Sequence, residues 1–146
     1  MQRTHMHILE VGVILSLIVG PSAHARILQD RPAQDGLYTT AQAERGKALY
    51  ETHCTACHGS SLRGGANEFA APPLAGPFFF EKWQGRTLDE LFRYSVENMP
   101  PGQDHLLERT YLDVTAYILQ VLKYPAGRAE LTADAPGMKR PIERQP

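Results

Sequence analysis

The sequence predicts an all-α domain of about three to five helices, from three observations. Apolar residues recur at helical spacing in three stretches, at about residues 40–54, 87–98 and 108–122. Two of these stretches open with the spacing of a capping box, Thr39 with Gln42 and Thr87 with Glu90. The segment between them, FAAPPLAGPFFFEKWQG, is apolar but contains three prolines and two glycines, so it cannot form one continuous helix.

The first 25 residues have the layout of a secretory signal peptide. A polar start with Arg3 precedes an apolar stretch at residues 8–19. Ala23 and Ala25 then give the small-x-small pattern that signal peptidase recognises, which predicts cleavage after Ala25. The apolar stretch is shorter than the roughly 20 residues that span a bilayer, although an uncleaved membrane anchor is the alternative. We therefore expect an exported, periplasmic mature chain of residues 26–146.

The expected mature chain has almost no net charge. Its formal charge stays at −1, because the leader contains one arginine and one glutamate. The mature chain therefore has no strong electrostatic field that would attract nucleic acid or an anionic membrane, and we expect membrane contact only through partners. The composition predicts three parts after the leader: a polar lead-in at residues 26–38, the helical domain at residues 39–124 and an extended tail at residues 125–146. In the tail, we expect order to fade after the stretch PAGRAEL.

The only two cysteines of the chain lie in HCTACHGSS, where Cys54 and Cys57 are followed directly by His58. A structural zinc site needs four ligands, and the mature chain offers few histidines to complete a tetrahedron. A redox-active dithiol usually follows a strand, whereas this motif follows a predicted helix. A disulfide between residues so close together would constrain the unfolded chain little. These three interpretations are therefore poorly supported.

Covalent attachment of a haem uses every residue of the motif. The thiols of Cys54 and Cys57 can each add to a vinyl group of the porphyrin, and the two intervening residues match the spacing of the vinyls. His58 is then carried beneath the iron as the proximal ligand. The motif therefore predicts one haem c, with a disulfide or an adventitious metal as the alternatives.

The sixth iron ligand decides between an electron carrier and a catalyst, and three side chains compete for this position. Met99 lies in VENMPPGQDHLL, just past a predicted helix and before two prolines that can hold a loop stiffly. Methionines more often fill a core, but this position favours ligation by Met99 in a His/Met pair. His105 is the alternative ligand, although a histidine in such a loop is more often simply solvated. Met138 is the least favoured candidate, because it lies in a polar tail.

Together these motifs resemble class I c-type cytochromes, over about residues 40–130. The resemblance rests on the Cys-x-x-Cys-His motif, PPLAG, NMPPG and YLDVTAYIL. More narrowly, WQGRTLDELF, NMPPG, YLDVTAYIL and PAGRAEL are similar to the cytochrome domains of quinohaemoprotein alcohol dehydrogenases and to small cytochromes that serve quinoprotein dehydrogenases. The chain shows no catalytic domain of such an enzyme, so we do not expect its substrate chemistry.

The resemblance implies a small class I cytochrome c fold wrapped around the haem, with residues 39–124 as the cytochrome domain. In the family the first and last helices cross at close range, and by position Gly46 and Tyr50 would meet Tyr117 there. The alternative is that Gly46 is merely a tolerated helix glycine, which costs ~1 kcal/mol relative to alanine.

The resemblance also implies that the proline-containing segment covers the porphyrin. The carbonyl of Pro72 or Pro73 would accept a hydrogen bond from the far nitrogen of His58 and fix its tautomer. Pro73 and Trp83 are assigned to the cofactor site, although the choice between the prolines stays open. Trp83 either donates its ring N–H to a haem propionate or packs in the core, and residues 78–80, three phenylalanines, are expected to pack.

The expected function is one-electron transfer rather than catalysis, since an iron bound by His58 and Met99 has no free position for a substrate. Electrons would come from a periplasmic donor, such as a quinoprotein dehydrogenase, and pass to a downstream cytochrome or a terminal oxidase. The lysines are scattered, so we expect docking that depends weakly on salt. The alternatives are a haem subunit of an oxidoreductase complex and a ligand-binding enzyme or sensor with a displaceable Met99.

Overall fold

The computed structural model describes residues 36–66, 70–102 and 105–146, and these residues are mainly helical. The predicted signal peptide and most of the predicted lead-in lie outside the described residues. The helices are α1 Thr40–His53, α2 Thr55–His58, α3 Pro77–Trp83, α4 Leu88–Asn98 and α5 Glu108–Val121, followed by a 3-10 helix, Pro136–Lys139.

The prediction of an all-α domain is confirmed for this part of the chain. The only β-type pairing within the described ranges is an isolated bridge between Thr87 and Pro141. The three predicted helices agree with α1, α4 and α5 to within one residue at each end. None of the helices in the described ranges is long and apolar enough to cross a bilayer.

Helices α1 and α5 cross in direct backbone contact at Gly46. A Cβ at this position would overlap the carbonyl oxygen of Asp113 and lie 3.1 Å from the Cβ of Tyr117. Beside the crossing, the rings of Tyr50 and Tyr117 pack with centroids 5.5 Å apart and a tilt of 59°. The crossing expected from the resemblance is therefore confirmed, and Gly46 is present because a larger residue would push the helices apart.

A buried carboxylate supports the same crossing. The side chain of Asp113 is 4% exposed and accepts two hydrogen bonds from Arg45, at 3.1 Å each. Arg45 also bonds Glu130 at 2.8 Å, so one guanidinium links α1, α5 and the C-terminal segment. Removal of Arg45 would leave a buried carboxylate without its partner, which is the costly way to break such a pair.

The two predicted capping boxes differ in the structure. At α4 the box is complete, because Thr87 accepts from the N–H of Glu90 at 3.2 Å and Glu90 accepts from the N–H of Thr87 at 2.7 Å. At α1 only half of it forms. Thr39 accepts from the N–H of Gln42 at 3.1 Å, but the side chain of Gln42 turns away.

The amide of Gln42 instead holds the C-terminal segment. Its Nε2 donates to the carbonyl of Leu131 at 2.9 Å, and its Oε1 accepts from the N–H of Leu131 at 2.7 Å. Gln42 is 2% exposed, so both polar ends of a buried side chain are satisfied by one backbone residue. The expected reciprocal cap is absent because this tertiary contact takes the glutamine.

The C-terminal segment packs against the helices along its length. Leu131, Met138 and Ile142 are each at most 2% exposed. The N–H of Gly85 donates to the carbonyl of Ile142 at 2.9 Å, and the N–H of Ile142 donates to that of Arg86 at 2.8 Å. The expectation that order fades after PAGRAEL is therefore wrong, because apolar residues at wide, aperiodic spacing anchor the segment.

Helix α3 was not anticipated as a separate element within the proline-containing segment. It begins at Pro77, where the missing N–H of proline costs nothing because the first N–H groups of a helix have no partner. Gly76 precedes it with φ of 82°, a conformation that favours glycine. Phe79 and Phe80 are buried as packing residues, whereas Phe78 is 67% exposed.

We expect the Gly46→Ala substitution to destabilise the protein, although alanine is the better helix former. At an exposed position this exchange would stabilise by about 1 kcal/mol, but the overlap with Asp113 should reverse the sign and cost about 3 kcal/mol. Denaturant unfolding of the haem-loaded protein measures the difference. Ala48→Gly at an exposed site of α1 is the control and should cost only about 1 kcal/mol. Equal stability of Gly46→Ala and the wild type would contradict the close crossing.

Candidate cofactor site

One cavity of about 380 Å³ brings together the residues assigned to the site from sequence. Its size lies within the roughly 300–1,000 Å³ typical of cofactor pockets, and most of its lining is apolar. The lining includes the six predicted site residues Cys54, Cys57, His58, Pro73, Trp83 and Met99. The two rival ligands lie elsewhere, since His105 is exposed and Met138 is buried in the core.

The cysteine motif forms a single helical turn at one part of the cavity. Cys54 ends α1 and caps α2, and the N–H of His58 donates to its carbonyl at 2.9 Å. The hydroxyl of Tyr50 donates to the carbonyl of Gly59 at 2.6 Å, which ties the end of this turn back to α1. Two sulfurs and one imidazole are thereby presented to the same space by five consecutive residues.

The orientation of His58 is set by a backbone carbonyl. Its Nδ1 lies 2.8 Å from the carbonyl oxygen of Pro72. A carbonyl can only accept, so Nδ1 carries the proton and Nε2 is left with the lone pair that binds a metal. Burial lowers the pKa of His58, an effect that the Pro72 carbonyl opposes, and so favours the neutral imidazole.

Of the two prolines that could orient His58, Pro72 is the one whose carbonyl accepts the hydrogen bond. The N–H of Ala71 donates to the carbonyl of Cys57 at 2.9 Å, and that of Leu74 donates to Leu62 at 2.8 Å. These bonds hold the segment beside α2 so that the Pro72 carbonyl faces the ring. Pro73, the proline assigned to the site from sequence, lines the cavity but does not make this hydrogen bond.

The environment of the thiols does not suit a redox-active dithiol. Burial, reinforced by the nearby Cys57, raises the pKa of Cys54 to about 11. Catalytic dithiols have the opposite shift, because the thiolate is the reactive form. Within the described ranges there is also no group of three or more His, Cys, Asp or Glu residues arranged to hold a metal ion.

Met99 reaches the same cavity from the end of α4. It is the C-terminal cap of that helix, with extended backbone and its N–H donating to Ser95 at 3.0 Å. Its carbonyl accepts a hydrogen bond of 2.5 Å from the hydroxyl of Tyr111. The sequence analysis did not assign Tyr111 to the site, because this residue lies 12 positions from Met99 within the last predicted helix.

An aromatic group forms another part of the cavity lining. Trp83 is 4% exposed, and its ring packs edge-on against Tyr94 with centroids 5.4 Å apart. The Nζ of Lys82 lies 4.2 Å from the centroid of Tyr94 and 5.1 Å from that of Trp83. Trp83 is therefore packed in the core and also faces the cavity, and its predicted bond to a propionate stays a prediction. The sequence analysis did not assign Lys82 and Tyr94 to the site, because neither residue belongs to a recognisable motif.

Comparison with known proteins identifies the family. Residues 41–118 match the family described as "Cytochrome C oxidase, cbb3-type, subunit III". The chain belongs to this cytochrome c family. Cytochrome c-551 of Bacillus subtilis (strain 168) is 25% identical to it over 103 residues, which cover 68% of this chain and 83% of that protein. Neither match bears on the narrower likeness to cytochromes of quinoprotein dehydrogenases.

Membership of the cytochrome c family implies covalently bound haem c, and the cavity fits such a group. Cys54 and Cys57 supply the thiols for two thioether bonds, and His58 and Met99 supply a nitrogen and a sulfur to one apolar cavity. The helical structure agrees with the small class I cytochrome c fold. The family points to electron transfer rather than catalysis, while leaving room for a role as a subunit of an enzyme complex.

Replacement of both cysteines of this cytochrome by alanine should abolish covalent attachment, because each thiol makes one thioether. Intact-mass spectrometry under denaturing conditions should find one haem on the wild-type chain and none on the double variant. The Ala56→Ser variant changes the same turn without removing a sulfur and should keep its haem. A double variant that retains the haem after denaturation would contradict attachment through Cys54 and Cys57.

Proposed function

We propose that this cytochrome is an exported, periplasmic one-electron carrier between a dehydrogenase of the quinoprotein type and a downstream cytochrome or terminal oxidase. The observation that carries the proposal is that His58 and Met99 line the same apolar cavity as the two cysteines. A protein that supplies both axial ligands needs no substrate at the iron, which suits a carrier.

The haem, when bound, supplies a centre that cycles between ferric and ferrous states. The residues of the chain would hold this centre and limit the access of other ligands to it. His58 is fixed through Nδ1 by the carbonyl of Pro72, so that Nε2 is directed to the cavity as the metal-binding nitrogen. Met99 lies at the end of α4, with its backbone carbonyl held by Tyr111. The apolar lining disfavours water, and a methionine ligand would favour the ferrous state relative to a second histidine.

The proposed partners are supported by sequence similarity and by charge. The segments WQGRTLDELF, NMPPG, YLDVTAYIL and PAGRAEL resemble cytochromes that serve quinoprotein dehydrogenases. Two lysines also have local partners, since Lys47 lies 4.0 Å from Glu51 and Lys82 packs over Tyr94. The scattered positions of the lysines in the sequence favour short-range rather than strongly salt-dependent docking.

A second candidate is a haem subunit of a respiratory oxidase. The family that matches residues 41–118 is named for such a subunit, which is the observation in its favour. In that case the protein would purify with a membrane complex, and its electrons would pass within the complex rather than by diffusion.

The axial ligand is tested by removing each buried or cavity methionine in turn. Met99→Leu keeps the side-chain volume but removes the sulfur, so the methionine-to-iron charge-transfer band of the ferric protein should disappear. Reduced Met99→Leu should also bind carbon monoxide, which the wild type should bind only slowly. Met138→Leu is the matched control and should keep the wild-type spectrum, because Met138 is a core residue. A wild type with high-spin, readily ligated iron would favour the enzyme or sensor alternative.

The location and partner are tested on the protein in its own cells. The periplasmic fraction should contain residues 26–146 with one haem, as read by intact mass. A purified quinoprotein dehydrogenase should reduce this protein at a rate that changes less than about threefold as the Debye length falls from about 30 to about 8 Å with added salt. Exclusive recovery with a membrane oxidase, or no electron transfer from the dehydrogenase, would favour the second candidate.

A further inference from the structure

We propose that Tyr111 is the positioning residue that holds the backbone of Met99 at the cavity wall, through a hydroxyl that also binds the backbone of Leu106. The inference rests on the proposed axial role of Met99 and goes beyond it, since it names the group that keeps the sulfur in place. The residue acts through its hydroxyl and would not itself contact the iron.

One hydroxyl binds the backbones of Met99 and Leu106. Tyr111 lies in the first turn of α5, is 5% exposed and lines the cavity. Its O–H donates to the carbonyl of Met99 at 2.5 Å, and its oxygen accepts from the N–H of Leu106 at 3.1 Å. Met99 and Leu106 are therefore both held by a single phenol, which is fixed by a 14-residue helix.

The residues that follow Met99 make this anchor important. Pro100 and Pro101 have no N–H to donate. The N–H of Met99 is already used by Ser95 in the last turn of α4. The Met99 carbonyl and the Leu106 N–H are thus backbone groups that a side chain from another helix can hold, and Tyr111 holds both.

The chain contains a matched tyrosine that makes the same kind of bonds but is not among the residues that line the cavity. Tyr124 is 6% exposed, and its hydroxyl donates to the carbonyl of Glu143 at 2.9 Å and accepts from the N–H of the same residue at 2.7 Å. A Phe substitution at either tyrosine keeps the ring and removes one donated and one accepted backbone hydrogen bond. Only Tyr111 should affect the iron site.

The experiment compares imidazole binding to the ferric, haem-loaded proteins. Imidazole must displace the Met99 sulfur, so it binds more tightly when the backbone of Met99 is held less firmly. Loss of two hydrogen bonds in Tyr111→Phe should raise the imidazole affinity about tenfold and weaken the charge-transfer band. Tyr124→Phe should stay within about twofold of the wild type, while both variants lose stability to denaturant.

The outcomes separate this inference from the proposed function. A wild type without the charge-transfer band overturns the axial assignment of Met99 and the inference with it. A wild type with the band, but with Tyr111→Phe binding imidazole no more tightly than Tyr124→Phe, overturns the role of Tyr111 alone.

A second measurement needs no variant, in case Tyr111→Phe does not accumulate with haem. In the reduced wild type, hydrogen exchange of the Leu106 amide should be slowed at least about tenfold relative to an unstructured peptide, because Tyr111 accepts its hydrogen bond. Exchange at the unstructured rate would overturn the inference.

Discussion

The contact between the backbones of α1 and α5 at Gly46 is the constraint on which the rest of the structure depends. The absence of a side chain at Gly46 lets the carbonyl of Asp113 approach. From this crossing, α1 runs to Cys54 and the haem-binding motif, while the start of α5 places Tyr111 at the same cavity. A wider separation of the helices would move the two thiols away from the loop that carries Met99. The bidentate Arg45–Asp113 pair stabilises the same geometry from the outside.

Both proposed iron ligands are positioned through backbone atoms. The carbonyl of Pro72 accepts from His58, and the carbonyl of Met99 is itself held by Tyr111. Preorganisation of this kind is favourable for electron transfer, because ligands held in place need little rearrangement when the charge of the iron changes. Proline is compatible with the segments around Pro72 and Met99, because the backbone groups that make these hydrogen bonds are carbonyls rather than the N–H groups that proline lacks.

The C-terminal segment extends the cytochrome domain rather than leaving it. Gln42 binds Leu131 through both ends of its amide, and Tyr124 binds Glu143 in the same two-way manner. The segment also pairs with the backbone that joins α3 to α4, directly after Trp83. It therefore supports the side of the cavity that Trp83 and Tyr94 form.

The sequence alone determined the features that depend on neighbouring residues. The haem-binding motif, the three longer helices and the complete cap at Thr87 follow from spacings of a few residues, which the helix geometry converts directly into contacts. Met99 was assigned as an iron ligand because it lies just past a predicted helix and before two prolines, and its ligation stays a prediction. The tertiary structure decided three further features. Pro72 rather than Pro73 accepts the hydrogen bond from His58, and Gln42 binds Leu131 instead of completing the cap of α1. Tyr111 binds the backbones of Met99 and Leu106. Each of these depends on which backbone groups of a distant segment are left without partners, and only the packed chain specifies that.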